Sequence, residues 1–138
     1  MNQNKSIIWL DVCLDYISLN FLSVYMPYCS DCNYHEYLNY LSKISSLCDE
    51  IDSLNVFIVG YLNACPKNNF GQLLSLFYLE HEMKPSDEIM LTADPFSYVS
   101  DTHGSCSWLD HCVSSESAHD SIQNFETLHQ LILLITSW

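Results

Sequence analysis

Positive charge is what this sequence most lacks: four lysines and arginines stand against 17 aspartates and glutamates, for a net charge of -13. So acidic a chain repels phosphate backbones and forgoes the counterion release that drives most nucleic-acid binding, so autonomous DNA binding is not expected. Long apolar runs are missing as well. The best of them, residues 131–135, falls far short of the roughly 20 residues a helix needs to cross a bilayer, so no membrane partner is expected. Residues 1–6 are polar with one lysine, and the apolar stretch 7–10 is broken by Asp11 and Asp15, unlike a secretory signal. The expectation is an intracellular protein, cytoplasmic or nuclear. Without a secretion signal, seven cysteines, an odd number, fit reduced thiols better than a disulfide framework, most of them acting as small buried apolar residues.

What is present suits a packed core. Of 138 residues, 49% are apolar and 13% aromatic, too apolar for a disordered chain and short enough for one domain or part of one. No internal repeat, low-complexity tract or linker divides it.

Residues 7–13 and 17–25 read as two β-rich runs around a turn at Asp15 and Tyr16. Pro27, Ser30 and Asp31 supply turn chemistry and a candidate N-cap. Over residues 33–51 the apolar positions Tyr34, Tyr37, Leu38, Leu41, Ile44, Leu47, Cys48 and Ile51 recur at steps of three and four, which predicts an amphipathic helix. Residues 56–59, Val-Phe-Ile-Val, read as a strand buried on both faces and ended by Gly60. A shorter helix is predicted over 70–80 with Leu73, Leu74, Phe77 and Tyr78 inward. Polar residues 85–88 separate it from a hairpin of strands 96–99 and 107–114 around Gly104. Residues 116–135 show no decisive period. Strands mixed with two helices make one α/β or α+β unit.

The informative segment is Val56-Phe57-Ile58-Val59-Gly60-Tyr61-Leu62-Asn63-Ala64, a buried strand whose end presents a polar amide, the place where α/β folds put functional groups. It resembles the Gly-Asp-Phe-Asn-Ala signature of the endonuclease/exonuclease/phosphatase superfamily, which includes the endonuclease domain of non-LTR retrotransposon polyproteins. Gly60, Asn63 and Ala64 match; Tyr61 stands where the family has aspartate. Upstream, Leu22-Ser23-Val24-Tyr25-Met26-Pro27 is similar to the family's strand ending in Tyr-x-Pro. Downstream, Ser97-Tyr98-Val99-Ser100-Asp101, His103-Gly104 and Ser107-Trp108-Leu109-Asp110-His111 resemble the region of its Trp-x-x-Asp strand. The three segments lie in the family's order over about residues 7–136.

The resemblance implies a four-layer β-sandwich flanked by helices, of which residues 1–138 would be one partial domain, without the early portion and the closing Ser-Asp-His motif. It implies Mg²⁺ as the family cofactor and DNA as the family partner, with Tyr25, Asn63 and Asp110 as vestigial site residues. Tyr25 would position a phosphate, Asn63 would donate an amide hydrogen bond to it, and Asp110 would orient a histidine. Tyr61 is a poor substitute for the water-orienting aspartate, because a phenol at neutral pH is a weak acceptor. With no residue assignable to the metal-holding carboxylate, stable Mg²⁺ binding and hydrolysis are not expected of this chain. The competing expectation is a noncatalytic interaction module whose bared sheet edge pairs with a protein partner or a second copy.

Plainer readings stand beside these. Taken alone, Gly-Tyr-Leu-Asn-Ala is a strand followed by a turn. His111 reads as a satisfied surface imidazole, since neighbours on a strand face opposite ways. Cys29, Cys32 and His35 have the spacing of half a zinc site, with Cys106, His111 and Cys112 as a conceivable other half, but loop or core thiols fit better. Trp108 and the tyrosines of the 33–51 helix read as core rather than as base-stacking groups.

Overall fold

A computed structural model describes residues 7–65, 68–91, 98–99, 106–107 and 110–125. The chain opens with an antiparallel hairpin of β1 (Ile7–Leu14) and β2 (Ile17–Tyr25), turned by Asp15 and Tyr16 with Asp15 at φ 50°. Aspartate tolerates that left-handed conformation better than most residues because its short side chain bonds locally.

A single 3-10 turn, Asp31–Asn33, leads into α1 (Tyr34–Glu50); Ser30 starts it by accepting from the Asn33 backbone N–H at 3.2 Å. Tyr37, Leu41 and Ile44 of α1 are buried, while Tyr34, expected on the inward face, is exposed because it sits in the first turn beyond the sheet's reach. Asn68 caps α2 (Asn69–Glu80) by accepting from Gly71 N–H at 2.8 Å, and Phe70, Leu74, Phe77 and Tyr78 are buried; Leu73 is only half-buried.

Between the helices runs β3 (Val56–Tyr61), two residues longer than the expected 56–59, since Gly60 lies within the strand and does not end it. The polar stretch after α2 is not a plain separator. It forms a three-residue strand, β4 (Met83–Pro85), and a short helix, α3 (Ser86–Met90). The strand expected over 107–114 divides in two. β5 (Tyr98–Val99) and β6 (Cys106–Ser107) form a separate small antiparallel sheet, whereas β7 (Asp110–Ser115) joins the main one and is followed by α4 (Glu116–Asp120). Gly104, Trp108, Leu109 and residues 126–138 lie outside the described residues, as do the expectations attached to them.

The main sheet has the order β1-β2-β3-β7-β4 and is mixed: β2 and β3 run parallel, and the other pairs antiparallel. The parallel step is forced by α1, which crosses over from the end of β2 to the start of β3. Leu22, Val24, Ile58 and Val113 point from three adjacent strands into one core with Tyr37, Leu41 and Ile44 of α1 and Phe70, Leu74 and Phe77 of α2. The fold is α+β, a mixed sheet with helices packed on one face. The opposite face carries Phe21 stacked on Phe57 at 5.0 Å and, along β1 and the start of β2, exposed Ile8, Leu10, Leu14 and Ile17.

The thiols depart from expectation. Among the described residues Cys13, Cys29 and Cys32 are exposed and Cys48, Cys65 and Cys112 only partly buried, because five of these six lie on loops, helix flanks or the edge strand rather than under the helices.

Candidate functional site at the strand ends

The sheet registers bring three of the four motif positions into one row. Tyr25 at the end of β2 is the register partner of Tyr61 at the end of β3, and Tyr61 is opposite Asp110 at the start of β7. Register partners share a face, so Tyr25, Tyr61 and Asp110 stand side by side on the face away from α1 and α2. The two phenol rings stack with centroids 5.3 Å apart and planes 16° from parallel. Tyr25 is 65% exposed, Asp110 is exposed and Tyr61 is partly buried.

One residue along the same strands, the row Val24, Gly60, His111 faces the helices. Gly60 has φ 125°, and a Cβ there would collide with the Val24 carbonyl oxygen. The motif glycine is therefore demanded twice, by a conformation open to glycine and by the approach of β2. The chain then turns through Asn63, at φ 50°, whose buried side-chain amide donates to the Met26 carbonyl at 2.6 Å. One of its two N–H donors thus ties the loop after β3 to the loop after β2. Tyr37 adds a second tie, its phenol donating to the Leu62 carbonyl at 3.0 Å.

His111 differs from the surface imidazole expected of it. It is only 4% exposed, with Nδ1 2.7 Å from Asp87 Oδ2 and Nε2 donating to the Ala64 carbonyl at 2.6 Å. Burial by itself pulls the imidazole pKa down, but the Asp87 hydrogen bond and charge and the Ala64 carbonyl together raise it above the ordinary histidine value. Held by Asp87 at one nitrogen and by the Ala64 carbonyl at the other, the ring clamps the Asn63-Ala64 turn against α3. Beside it, burial first and then the Asp87 charge push the Cys112 thiol up to about 12, so this cysteine is not a nucleophile at neutral pH. Burial and the same aspartate raise Glu88, with His111 opposing. No sequence signal announces the Asp87–His111 pair: Asp87 belongs to a short polar stretch 24 residues upstream, and only β4, lying beside β7, brings α3 to the imidazole.

A divalent cation of the magnesium type needs a near-octahedral shell of oxygen ligands with at least one or two carboxylates. Among the described residues the strand-end set offers two phenols, an asparagine already bonded to Met26 and the single carboxylate of Asp110, and these do not fit such an ion. Nor, among the described residues, do three or more histidine, cysteine, aspartate or glutamate side chains gather closely enough to hold a metal, Cys29, Cys32 and His35 included. A cleft of about 620 Å³ among the described residues lies elsewhere. Val56 and Ser115 line it, at the opposite ends of β3 and β7 from Tyr61 and Asp110, together with Asp49, His81, Glu82 and Asp120. It is therefore separate from the motif residues. Among the described residues no helix is long and apolar enough to cross a membrane.

No protein-family model and no curated protein matches the chain. Solved structures do. The endonuclease domain of TRAS1, a telomere-specific non-LTR retrotransposon, superposes with a TM-score of 0.73 at 15% identity, over 88% of this chain and 55% of that one. An endonuclease/exonuclease/phosphatase family protein from Leptotrichia buccalis C-1013-b superposes with a TM-score of 0.58 at 14% identity, over 80% of this chain and 41% of that one. The chain thus spans about half the length of the domains it matches. At such identities the likeness concerns the backbone, and the fold of these residues is that of an endonuclease/exonuclease/phosphatase domain.

Proposed function

We propose that the chain is part of a retrotransposon-type endonuclease domain in which phosphodiester hydrolysis has been lost, Tyr25, Asn63 and Asp110 being vestiges of its site. The observation that carries this reading is Tyr61. It occupies the strand-end position between Tyr25 and Asp110 and stacks on Tyr25, where the resemblance calls for the aspartate that orients the attacking water. A phenol there neither deprotonates water at neutral pH nor neutralises a cation. Catalytic groups that act as a unit fail together, so hydrolysis by this chain alone is expected to be absent. DNA would be at most a weak partner, given the net charge of -13.

The purified chain, and separately its Tyr61→Asp variant, would be incubated with supercoiled plasmid and Mg²⁺. Neither is expected to nick above a buffer control, since one carboxylate does not rebuild a cation centre. Robust nicking by the unmodified chain would overturn the reading.

A second reading has its own observation. β1 is an eight-residue edge strand without proline, and exposed Ile8, Leu10 and Leu14 line its outward face. An edge of that length and polarity favours pairing with another strand. On this reading the chain is a noncatalytic interaction module, and light scattering on a dilution series should find self-association. A monodisperse monomer down to the lowest concentration would count against it.

A further inference from the structure

A sheet that meets water on one side alternates apolar and polar residues, with the polar set outward. The outward positions of β1, β2 and β3 break that rule. Ile8, Leu10 and Leu14 of β1 and Ile17 of β2 are each more than half exposed, and Phe21 and Val59 on the same side are only partly buried. The three strands hold a single charged residue, Asp11, although the net charge of the chain is -13. As the register partner of buried Asn20, Asp11 lies on the other face. Both long helices pack on that other face, with Leu22 and Ile58, so the outward face stays apolar and open along β1 and the start of β2. Exposed apolar patches of this kind mark surfaces that meet a partner.

We propose that this face is a dimer interface: a second copy of the chain packs its own outward face against it, about 10 Å away, as two sheets stack in a β-sandwich. The contact is isologous, the same patch on both copies, so it closes at two. Charge selects this occupant. Two chains of net charge -13 repel each other wherever carboxylates would meet, and the outward side of β1, β2 and β3 is free of them. A basic partner would gain nothing there and would be drawn to the carboxylates elsewhere. The area fits as well. Three strands about 4.8 Å apart and about eight residues long make a face of roughly 14 by 27 Å, about 400 Å² if flat and more once side chains stand up from it. Two such faces reach the roughly 1,000 Å² at which specific interfaces begin. The contact deepens the interaction-module reading, on which it rests: the partner becomes a second copy, and the meeting surface moves from the edge of β1 to the face of the sheet.

The test follows the full chain by sedimentation equilibrium over a dilution series, under reducing conditions that exclude crosslinks through exposed Cys13, Cys29 and Cys32. A monomer–dimer equilibrium is expected, and it should tighten as salt rises, because screening removes the repulsion between acidic copies while an apolar contact survives it. Two variants separate face from edge. Ile17→Lys charges the outward face on β2 and leaves the edge strand untouched, whereas Cys13→Lys charges the edge strand on the side it shares with Asp11. Both residues are exposed and both changes remove one unit of net negative charge, so general repulsion does not distinguish them. Ile17→Lys, or Ile17→Gln should the lysine disturb the hairpin, is expected to weaken dimerisation by at least about tenfold, and Cys13→Lys to leave it unchanged. If Cys13→Lys dissociates the dimer and Ile17→Lys does not, edge pairing stands and the face contact is refuted. A monomer at every concentration refutes both. Association that weakens with salt, or that grows past two copies, also overturns the face contact.

Discussion

The inward row Val24, Gly60, His111 and the outward row Tyr25, Tyr61, Asp110 sit one residue apart on the same three strands, yet they are constrained very differently. The inward row is closed: a Cβ at Gly60 has nowhere to go, and both ring nitrogens of His111 have buried partners. The outward row meets solvent at both ends, with Tyr25 and Tyr61 stacked on each other. The inward row is therefore fixed by packing and backbone geometry, whereas the outward row is free to vary with little effect on the fold.

The contrast breaks first at Gly60. Gly60→Ala forces an L side chain into a left-handed conformation and against the Val24 carbonyl, and should cost about 3 to 5 kcal/mol in urea unfolding. A loss below 1 kcal/mol would mean that the two strands part easily and the inward row is not closed.

Asp87→Asn comes next. Removing one member of a buried ion pair costs about 3 kcal/mol or more, although His111 can shed its proton and recover part of that. The pair also predicts a pH dependence. Because the folded imidazole pKa is raised, its contribution is complete below the unfolded histidine value of about 6.5 and is lost as pH rises through the folded value. Unfolding midpoints of the unmodified chain should therefore fall across that alkaline window, and those of Asp87→Asn should stay flat. Parallel curves would show that His111 is neutral in the folded state.

The outward row should respond least. Tyr61→Asp loses a stacked ring pair on a partly open surface and is expected to cost about 1 kcal/mol. A loss of 3 kcal/mol or more would make Tyr61 a structural residue in its own right. Leu10→Lys on the edge strand should change the unfolding free energy by less than about 0.5 kcal/mol while suppressing self-association, since a charged edge resists pairing.

Much of this architecture was legible residue by residue. The β1 and β2 runs and the two long helices announced themselves because a single buried face repeats at the pitch of the element, as Tyr37, Leu41 and Ile44 do on α1. The elements that went unread are two to six residues long: β4, α3, α4 and the separation of β7 from β6. Such segments hold too few turns to show a period, and their form comes from what lies beside them. The motif positions were readable because Gly60 and Asn63 have local backbone reasons to be what they are, both lying at positive φ. His111 was misread as a surface group because alternation along a strand says which residues share a face but not which face is covered.

By itself, then, the sequence determined the local elements, the acidic field and the run Gly60-Tyr61-Leu62-Asn63-Ala64 at the end of a buried strand. Only the tertiary structure decided that Asp87 reaches His111, that Asn63 ties two loops together, and that Tyr25, Tyr61 and Asp110 form one outward-facing row. The physical reason is range. Propensity and periodicity act over a few neighbouring residues, whereas these contacts join strands and loops 24 to 49 residues apart and exist only once the parallel pairing of β2 with β3 and the antiparallel return of β7 have closed.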